Sequence, residues 1–271
     1  MKPTWENKRY GIKLYQGDCL KVLPTLRLER IGTIITDPPY GETQLAYDVS
    51  PATEWCSLLS GWKGVVASFA SFRFALKLID KMPLPFRYEM VWVKNLATRP
   101  LDANRRPLCN HEFVLIFGAY RFHRVDWPRG FLNRKIDDVI DNGTTATGKL
   151  YGQNLPRVAY RYTANVCPQS AFACPRPGNH KANSRPDHHP SQKPLPIPIW
   201  LARTYTPRKS VVLDPFMGSG TTCIACLETG RRFIGIESEK KYFRMSVKRI
   251  EAWIAEHAGQ KKGIDLLDAP R

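Results

Sequence analysis

Two short apolar runs, each followed by an Asp-Pro step, constrain the fold of this chain more than any other feature. Ile31–Ile35 leads into Thr36-Asp37-Pro38-Pro39-Tyr40, and Ser210–Leu213 leads into Asp214-Pro215-Phe216. Such runs predict buried parallel strands, and the first must end at Asp37, because proline cannot donate to a sheet ladder. Ligands bind at the carboxyl edge of open α/β sheets, so we expect Asp37 at a functional edge.

The four residues from Asp37 to Tyr40 combine an acid, conformationally fixed prolyl carbonyls and an aromatic ring. The Asp37 carboxylate and the Pro38 carbonyl would accept the hydrogens of an amine on a planar ring, and Tyr40 would offer a face for stacking. Pro39 restricts the backbone between them. A plain proline turn with an exposed carboxylate has the same sequence, so this motif alone leaves both interpretations open.

The second strand enters Met217-Gly218-Ser219-Gly220-Thr221. A strand, a Gly-x-Gly turn and a helix predict a cofactor loop, because the missing side chains let a ligand approach backbone N–H groups. Glu237 closes the next strand and could accept both hydroxyls of a ribose. A dinucleotide fingerprint would place a third glycine where Cys223 stands, so a nicotinamide-dependent dehydrogenase is the weaker alternative.

Together these motifs resemble the amino-methylating DNA methyltransferases, with the catalytic motif before the cofactor motif, as in the family's β group. The resemblance implies a Rossmann-like α/β fold with a mainly parallel sheet and helices on both faces. It also implies methyl transfer from S-adenosyl-L-methionine to the N6 amine of a flipped-out adenine in double-stranded DNA. N4-cytosine methylation is the alternative, and a nucleic-acid-binding protein without turnover is an alternative of another class. The implied catalytic residues are Asp37, Pro38, Pro39 and Tyr40, and the implied cofactor-binding residues are Asp18, Lys193, Asp214, Phe216, Gly218, Ser219, Gly220, Thr221 and Glu237.

Two of these cofactor residues have an ordinary structural alternative. Asp18 follows a short strand that contains Ile12 and Leu14. In the family the matching Asp contacts the adenine amine of the cofactor, whereas a turn residue here would cap the helix that begins near Leu20. Lys193 lies in a His-Pro-Ser-Gln-Lys-Pro stretch similar to one beside the methionine end of the cofactor in the family. It could pair with the cofactor carboxylate or be a surface lysine.

The charge balance indicates a polyanionic partner. Lys and Arg number 41 against 24 Asp and Glu, which gives a formal net charge of +17. Nucleic acid fits this excess better than a membrane, because no apolar segment is long enough to span one. Charge alone does not separate DNA from RNA. Seven cysteines without framework spacing and a polar Met1–Tyr10 lead us to expect a reduced, cytoplasmic protein without a metal.

The resemblance divides the chain into a catalytic core, an insertion and a tail. Residues 11–120 and 189–256 form the expected methyltransferase core, and 257–271 form a tail. Residues 121–188 are rich in Lys and Arg with interleaved aromatics, which predicts a target-recognition insertion. His111-Glu112 has no partner histidine at helical spacing, so we expect a structural role for it. Whether the protein forms a homodimer or has a cognate restriction enzyme is left open by the sequence.

Overall fold

A computed structural model of the chain describes residues 1–42, 53–98, 104–105, 107–120, 122–123, 125, 127–128, 165–166, 170–174 and 192–258. Within these residues the strands, in chain order, are β1 (Trp5–Asn7), β2 (Ile12–Gln16), β3 (Ile31–Thr36), β4 (Val65–Ala70), β5 (Phe86–Thr98), β6 (Cys109–Gly118), β7 (Trp127–Pro128), β8 (Asn165–Val166), β9 (Ala171–Ala173), β10 (Val211–Asp214) and β11 (Arg232–Glu237). The α-helices are α1 (Cys19–Val22), α2 (Phe72–Lys81), α3 (Pro196–Tyr205), α4 (Thr221–Thr229) and α5 (Lys240–His257).

Nine of the described strands form one mixed sheet in the order β1-β2-β11-β10-β3-β4-β6-β5-β9. The central strands β2, β11, β10, β3 and β4 run parallel, whereas β6 is antiparallel to both β4 and β5. β10 and β3 are direct neighbours, with Leu213 opposite Ile34. The two motif-bearing strands therefore deliver Asp37 and Asp214 to the same edge of the sheet, as the sequence predicts.

Helices cover both faces of the sheet. Trp200 of α3, Cys223 of α4 and Ile250 of α5 belong to the core on one face. Phe74 and Leu78 of α2 belong to the core on the other face. The strands between them are buried on both sides, which accounts for their continuous apolar sequences. The predicted Rossmann-like architecture is confirmed.

Local signals account for some of the helix boundaries. Ser71 caps α2, since its Oγ accepts a hydrogen bond from the Phe74 amide at 3.2 Å. Gly230 ends α4 in the left-handed conformation, with φ of 67°, a geometry that glycine adopts without strain. The helix expected after Asp18 is only four residues long and continues as a 3₁₀ turn over Leu23–Thr25.

Most of the expected recognition insertion, 121–188, lies outside the described residues, as does the tail beyond Ala258. The described parts of the insertion include a two-stranded pair, β7 with β8, and β9, which adds to the sheet beside β5. None of the helices that the structure describes is both long and apolar enough to cross a membrane.

Candidate functional site

The residues from Asp37 to Tyr40 leave β3 at the carboxyl edge of the sheet, and their side chains contact one another. The Tyr40 hydroxyl donates to Asp37 Oδ1 at 2.8 Å. Asp37 Oδ2 lies 2.8 Å from Lys193 Nζ. Both oxygens of the candidate catalytic carboxylate are thus oriented by a neighbouring donor. Burial raises the pKa of Asp37, and the positive charge of Lys193 opposes that rise.

The Tyr40 ring packs against α2. It stacks on Phe74 with ring centroids 5.2 Å apart and an interplanar angle of 26°. Lys193 Nζ lies 5.6 Å from the centroid of the Tyr40 ring and 5.2 Å from that of Phe69. A base that stacks on Tyr40 would therefore come close to the Lys193 ammonium.

Lys193 itself is brought to the catalytic motif. Its ammonium contacts Asp37 and also Glu112 Oε2 at 3.1 Å, and its side chain is only 10% exposed. Burial works against the charge of Lys193, but the two carboxylates outweigh burial and raise its pKa, so the ammonium stays protonated. The surface-lysine alternative is wrong, while the expected contact with a cofactor carboxylate stays a prediction.

Glu112 and Lys94 complete a buried group of charges. The sequence analysis expected only a structural role for Glu112 and did not single out Lys94. Lys94 forms an ion pair with Glu112 Oε1, and both side chains are at most 10% exposed. Burial alone would raise the pKa of Glu112, but the charges of Lys193 and Lys94 lower it to about 2. A signal was present: each is an ionisable residue at the end of an apolar run, Met90–Val93 for Lys94 and Phe113–Phe117 for Glu112. β5 pairs with β6 so that Trp92 faces Glu112.

Asp214 links the end of β3, which leads into the Asp37–Tyr40 motif, to the glycine turn that follows β10. Its Oδ1 accepts hydrogen bonds from the Thr36 hydroxyl at 2.7 Å and the Phe216 amide at 3.1 Å. Its Oδ2 accepts from the Thr222 hydroxyl at 2.7 Å. Asp214 is only 3% exposed, and burial raises its pKa to about 7. The carboxylate therefore supports the loop from inside the protein.

The glycine turn is held against the end of β11. The Gly218 amide donates to Glu237 Oε2 at 2.9 Å, and the Glu239 amide donates to Glu237 Oε1 at 2.8 Å. Gly220 has φ of 77°, and a Cβ there would lie 3.1 Å from Ser246 Cβ on α5. Position 220 therefore needs glycine for both its conformation and its packing.

The remaining cofactor candidates surround this turn. The Phe216 ring meets the buried Trp55 edge to face, with centroids 5.9 Å apart. Arg249 reaches from α5 to the Ser219 carbonyl at 3.2 Å and to the Thr221 hydroxyl at 3.0 Å. Arg249 is another residue that the sequence analysis did not single out, and it ties α5 to the start of α4.

Asp18 caps α1, since its Oδ1 accepts from the Leu20 amide at 2.9 Å. The preceding Gly17 amide donates to the Glu237 carbonyl at 2.9 Å, which places Asp18 beside the end of β11. The capping interpretation is therefore confirmed, and the role in cofactor binding stays a prediction.

The arrangement fits an adenosyl cofactor with a methionine arm. Asp18 and Glu237 are carboxylates at the carboxyl ends of adjacent strands, and carboxylate oxygens accept hydrogen bonds from ribose hydroxyls and an adenine amine. The turn at Gly218 and Gly220 lets a ligand approach the backbone closely. In the described part of the chain, no group of three or more His, Cys, Asp or Glu side chains is arranged to hold a metal.

Two curated relatives are similar to this chain over most of its length. A YubD protein of Escherichia coli (strain K12) is 27% identical over 253 residues, which cover 89% of this chain and 90% of that protein. The type II methyltransferase M.ScaI of Streptomyces caespitosus is 26% identical over 283 residues, covering 93% of this chain and 84% of the relative.

Two solved structures have a fold similar to that of this chain. The M1.HpyAVI–SAM complex has a TM-score of 0.57 and 25% identity, covering 88% of this chain and 98% of its own. The cytosine-N4-specific PvuII DNA methyltransferase has a TM-score of 0.58 and 16% identity, covering 96% of both chains, and this similarity supports the fold alone.

The model of the N6/N4-type DNA methylase family matches residues 66–248, which is more than half of the chain. The match spans β4 to α5 and therefore includes Glu112, Lys193 and the whole cofactor loop. With the Asp-Pro-Pro-Tyr motif at the neighbouring strand end, this chain belongs to the DNA methylase family whose members methylate adenine N6 or cytosine N4.

Proposed function

We propose that this protein transfers a methyl group to the N6 amine of an adenine flipped out of double-stranded DNA. S-Adenosylmethionine is the methyl donor. The observation that carries the proposal is the position of the Asp37 carboxylate, one strand away from the cofactor loop and oriented by Tyr40 and Lys193.

The chemistry requires positioning more than covalent catalysis. An exocyclic amine is a poor nucleophile, because its lone pair is delocalised into the base. If Asp37 accepts one N–H and the Pro38 carbonyl accepts the other, the nitrogen can become pyramidal and direct its lone pair at the methyl group. The cofactor supplies that methyl group on a sulfonium, an electrophile with a neutral leaving group. In this arrangement Asp37 would also take the proton that the methylated nitrogen must lose.

The target base must leave the duplex to reach Asp37. Base flipping costs a few kcal/mol, and stacking on an aromatic side chain recovers about 1–3 kcal/mol. Tyr40 is the candidate for this stacking contact. Its ring already stacks on Phe74, which holds the ring in place before a base arrives. Because Lys193 also contacts the ring, a stacked base would either lie beside the Lys193 ammonium or displace it.

Adenine is the proposed target because of the residue at the first position of the motif. Adenine enzymes of this family typically carry Asp there, as this chain does at Asp37, whereas cytosine-N4 enzymes often carry Ser. The basic insertion at 121–188 is the proposed source of contacts to phosphates and base edges, which would select the DNA site. The formal charge of +17 supports a polyanionic substrate.

Two variants test the proposed division of roles. Asp37→Ala should abolish methyl transfer to unmethylated DNA while the dissociation constant for S-adenosylmethionine changes little. Gly218→Val should abolish cofactor binding, because valine is strained at its positive φ of 51° and would crowd the turn held by Glu237. Both variants should keep native circular dichroism. An equal loss of cofactor affinity in the two would contradict the assignment.

A further inference from the structure

The Asp37 carboxylate is oriented by groups that are themselves held by a second carboxylate. Lys193 Nζ contacts Asp37 Oδ2 at 2.8 Å and Glu112 Oε2 at 3.1 Å. The Tyr40 hydroxyl lies 2.8 Å from Asp37 Oδ1 and 3.4 Å from Glu112 Oε2. The hydroxyl has one proton, and the shorter distance assigns it to Asp37. Glu112 is therefore linked to Asp37 chiefly through Lys193.

Of the residues in this series of contacts, Glu112 lies on a regular strand. It lies on β6, which pairs with β4 on one side and β5 on the other. Asp37 and Tyr40, by contrast, stand on the chain segment that follows β3, outside any strand or helix. Glu112 itself is paired with Trp92 of β5, next to the point where the pairing of β6 with β4 ends at Phe113. A side chain on a paired strand can hold a loop group in one orientation, whereas the carboxylate of Asp37 alone could rotate about its own bonds.

Among the described residues, the charges of the group balance. Lys94 and Lys193 face Glu112 and Asp37, so two positive groups meet two negative ones. Lys94 is 4% exposed, and its ammonium pairs with the Glu112 oxygen that Lys193 does not use. Buried charges persist only when paired and hydrogen-bonded. Lys94 therefore allows Glu112 to remain a carboxylate while Lys193 is shared with Asp37.

We propose that Glu112 is a positioning residue for methyl transfer, which holds Lys193 against Asp37 and so fixes the carboxylate oxygen that receives the target amine. Lys94 keeps Glu112 charged. The inference rests on the proposed function, because it assigns Glu112 a role only through Asp37. It goes beyond that function by assigning roles to two strand residues, Glu112 and Lys94, that the proposed chemistry does not use.

The first test compares single-turnover methylation rates of the wild type and Glu112→Gln. The amide keeps the shape of the side chain, but it offers one acceptor oxygen for two lysines. We expect the rate to fall about 100-fold, the effect of an error of roughly 1 Å in a reacting geometry. The dissociation constant for S-adenosylmethionine should stay within about twofold. A rate equal to that of the wild type would overturn the proposal.

A double variant separates positioning from a buried charge left unpaired. Glu112→Gln alone removes one carboxylate that Lys94 contacts, whereas Lys94→Met with Glu112→Gln removes both charges of that pair. If Glu112 only balances Lys94, the double variant regains the wild-type rate, and the proposal fails. If Glu112 positions Lys193, the double variant folds with a near-normal melting temperature and stays slow. Adding Lys193→Met to Glu112→Gln should then cause little further loss, because both act through one contact.

Crystal structures keep the inference testable even if the proposed function fails. In Glu112→Gln we expect the Lys193 Nζ to Asp37 Oδ2 contact to lengthen or break. A retained contact would overturn the inference, whatever the activity. If the wild type transfers no methyl to DNA, the proposed function is wrong, and the Lys193 position in the variant alone decides the role of Glu112.

Discussion

Thr36→Val should lower the free energy of unfolding more than Thr33→Val, the same change three residues earlier on β3. The buried Thr36 hydroxyl donates to the Asp214 carboxylate at 2.7 Å. The buried Thr33 hydroxyl donates at 3.1 Å to the Tyr205 carbonyl, a neutral acceptor. Valine nearly matches the shape of threonine, so neither variant creates a large cavity. Thr33→Val is therefore the matched control.

The expected magnitudes follow from the two acceptors. A hydrogen bond to a charged group contributes about 1.5–3 kcal/mol to stability, and a neutral one contributes about 0.5–1.5 kcal/mol. At pH 8 the free energy of unfolding should fall by about 2 kcal/mol in Thr36→Val and by about 1 kcal/mol in Thr33→Val. Cofactor affinity should fall only in Thr36→Val, because Asp214 also holds the Phe216 amide at the start of the cofactor loop.

The difference in unfolding free energy between the two variants should become smaller as the pH falls from 8 to 5. Burial raises the pKa of Asp214 from 3.8 to about 7. The stability that this group contributes is fully present below pH 3.8 and is lost as the pH rises through about 7. At pH 5 the folded protein holds a neutral Asp214, so its bond to Thr36 is a neutral one. At pH 5 the loss of unfolding free energy in Thr36→Val should therefore approach the loss in Thr33→Val.

The assay is urea unfolding followed by tryptophan fluorescence at pH 5 and pH 8, with calorimetric titration of S-adenosylmethionine at pH 8. Equal penalties for the two variants at pH 8, or a gap that widens at pH 5, would refute the role assigned to Asp214. A loss of cofactor affinity in Thr33→Val would refute its use as a structural control.

Two further predictions concern the support of the cofactor loop. In Gly235→Ala the added Cβ would lie 2.4 Å from Met217 Sδ, so we expect a loss of about 1–3 kcal/mol in unfolding free energy by urea titration. Gly32→Ala has nothing within 4 Å of the new Cβ and should be nearly neutral, and a larger loss there would contradict the packing account. Glu237→Gln should weaken S-adenosylmethionine binding about tenfold in calorimetry, since one charge-assisted hydrogen bond is worth about 1.5 kcal/mol or more. Unchanged affinity would show that the Glu237 carboxylate is not needed in the cofactor site.

The sheet and its functional edge were predictable because their signals are local. β3 and β10 are short apolar runs, and the proline after each aspartate marks where the strand ends. Parallel strands bring such ends to one edge whatever their separation in sequence. This explains why Asp37 and Asp214 could be placed together from the sequence alone.

The partners of the site side chains were not predictable in the same way. The pairing of Lys94 with Glu112 depends on β5 and β6 being neighbours in a given register. The contact between Lys193 and Asp37 joins segments on opposite sides of the insertion. Neither pattern has a fixed spacing in sequence, so a charged residue in an apolar strand reveals only that a partner must exist.

The most direct test of the central claim is the identity of the methylated nucleoside. Purified protein is incubated with unmethylated genomic DNA and S-adenosylmethionine labelled on the methyl group, and the DNA is then digested to nucleosides. We predict label on N6-methyladenine in the wild type and none with Asp37→Ala. Label on N4-methylcytosine, or no labelled nucleoside from a protein that still binds the cofactor, would contradict the claim.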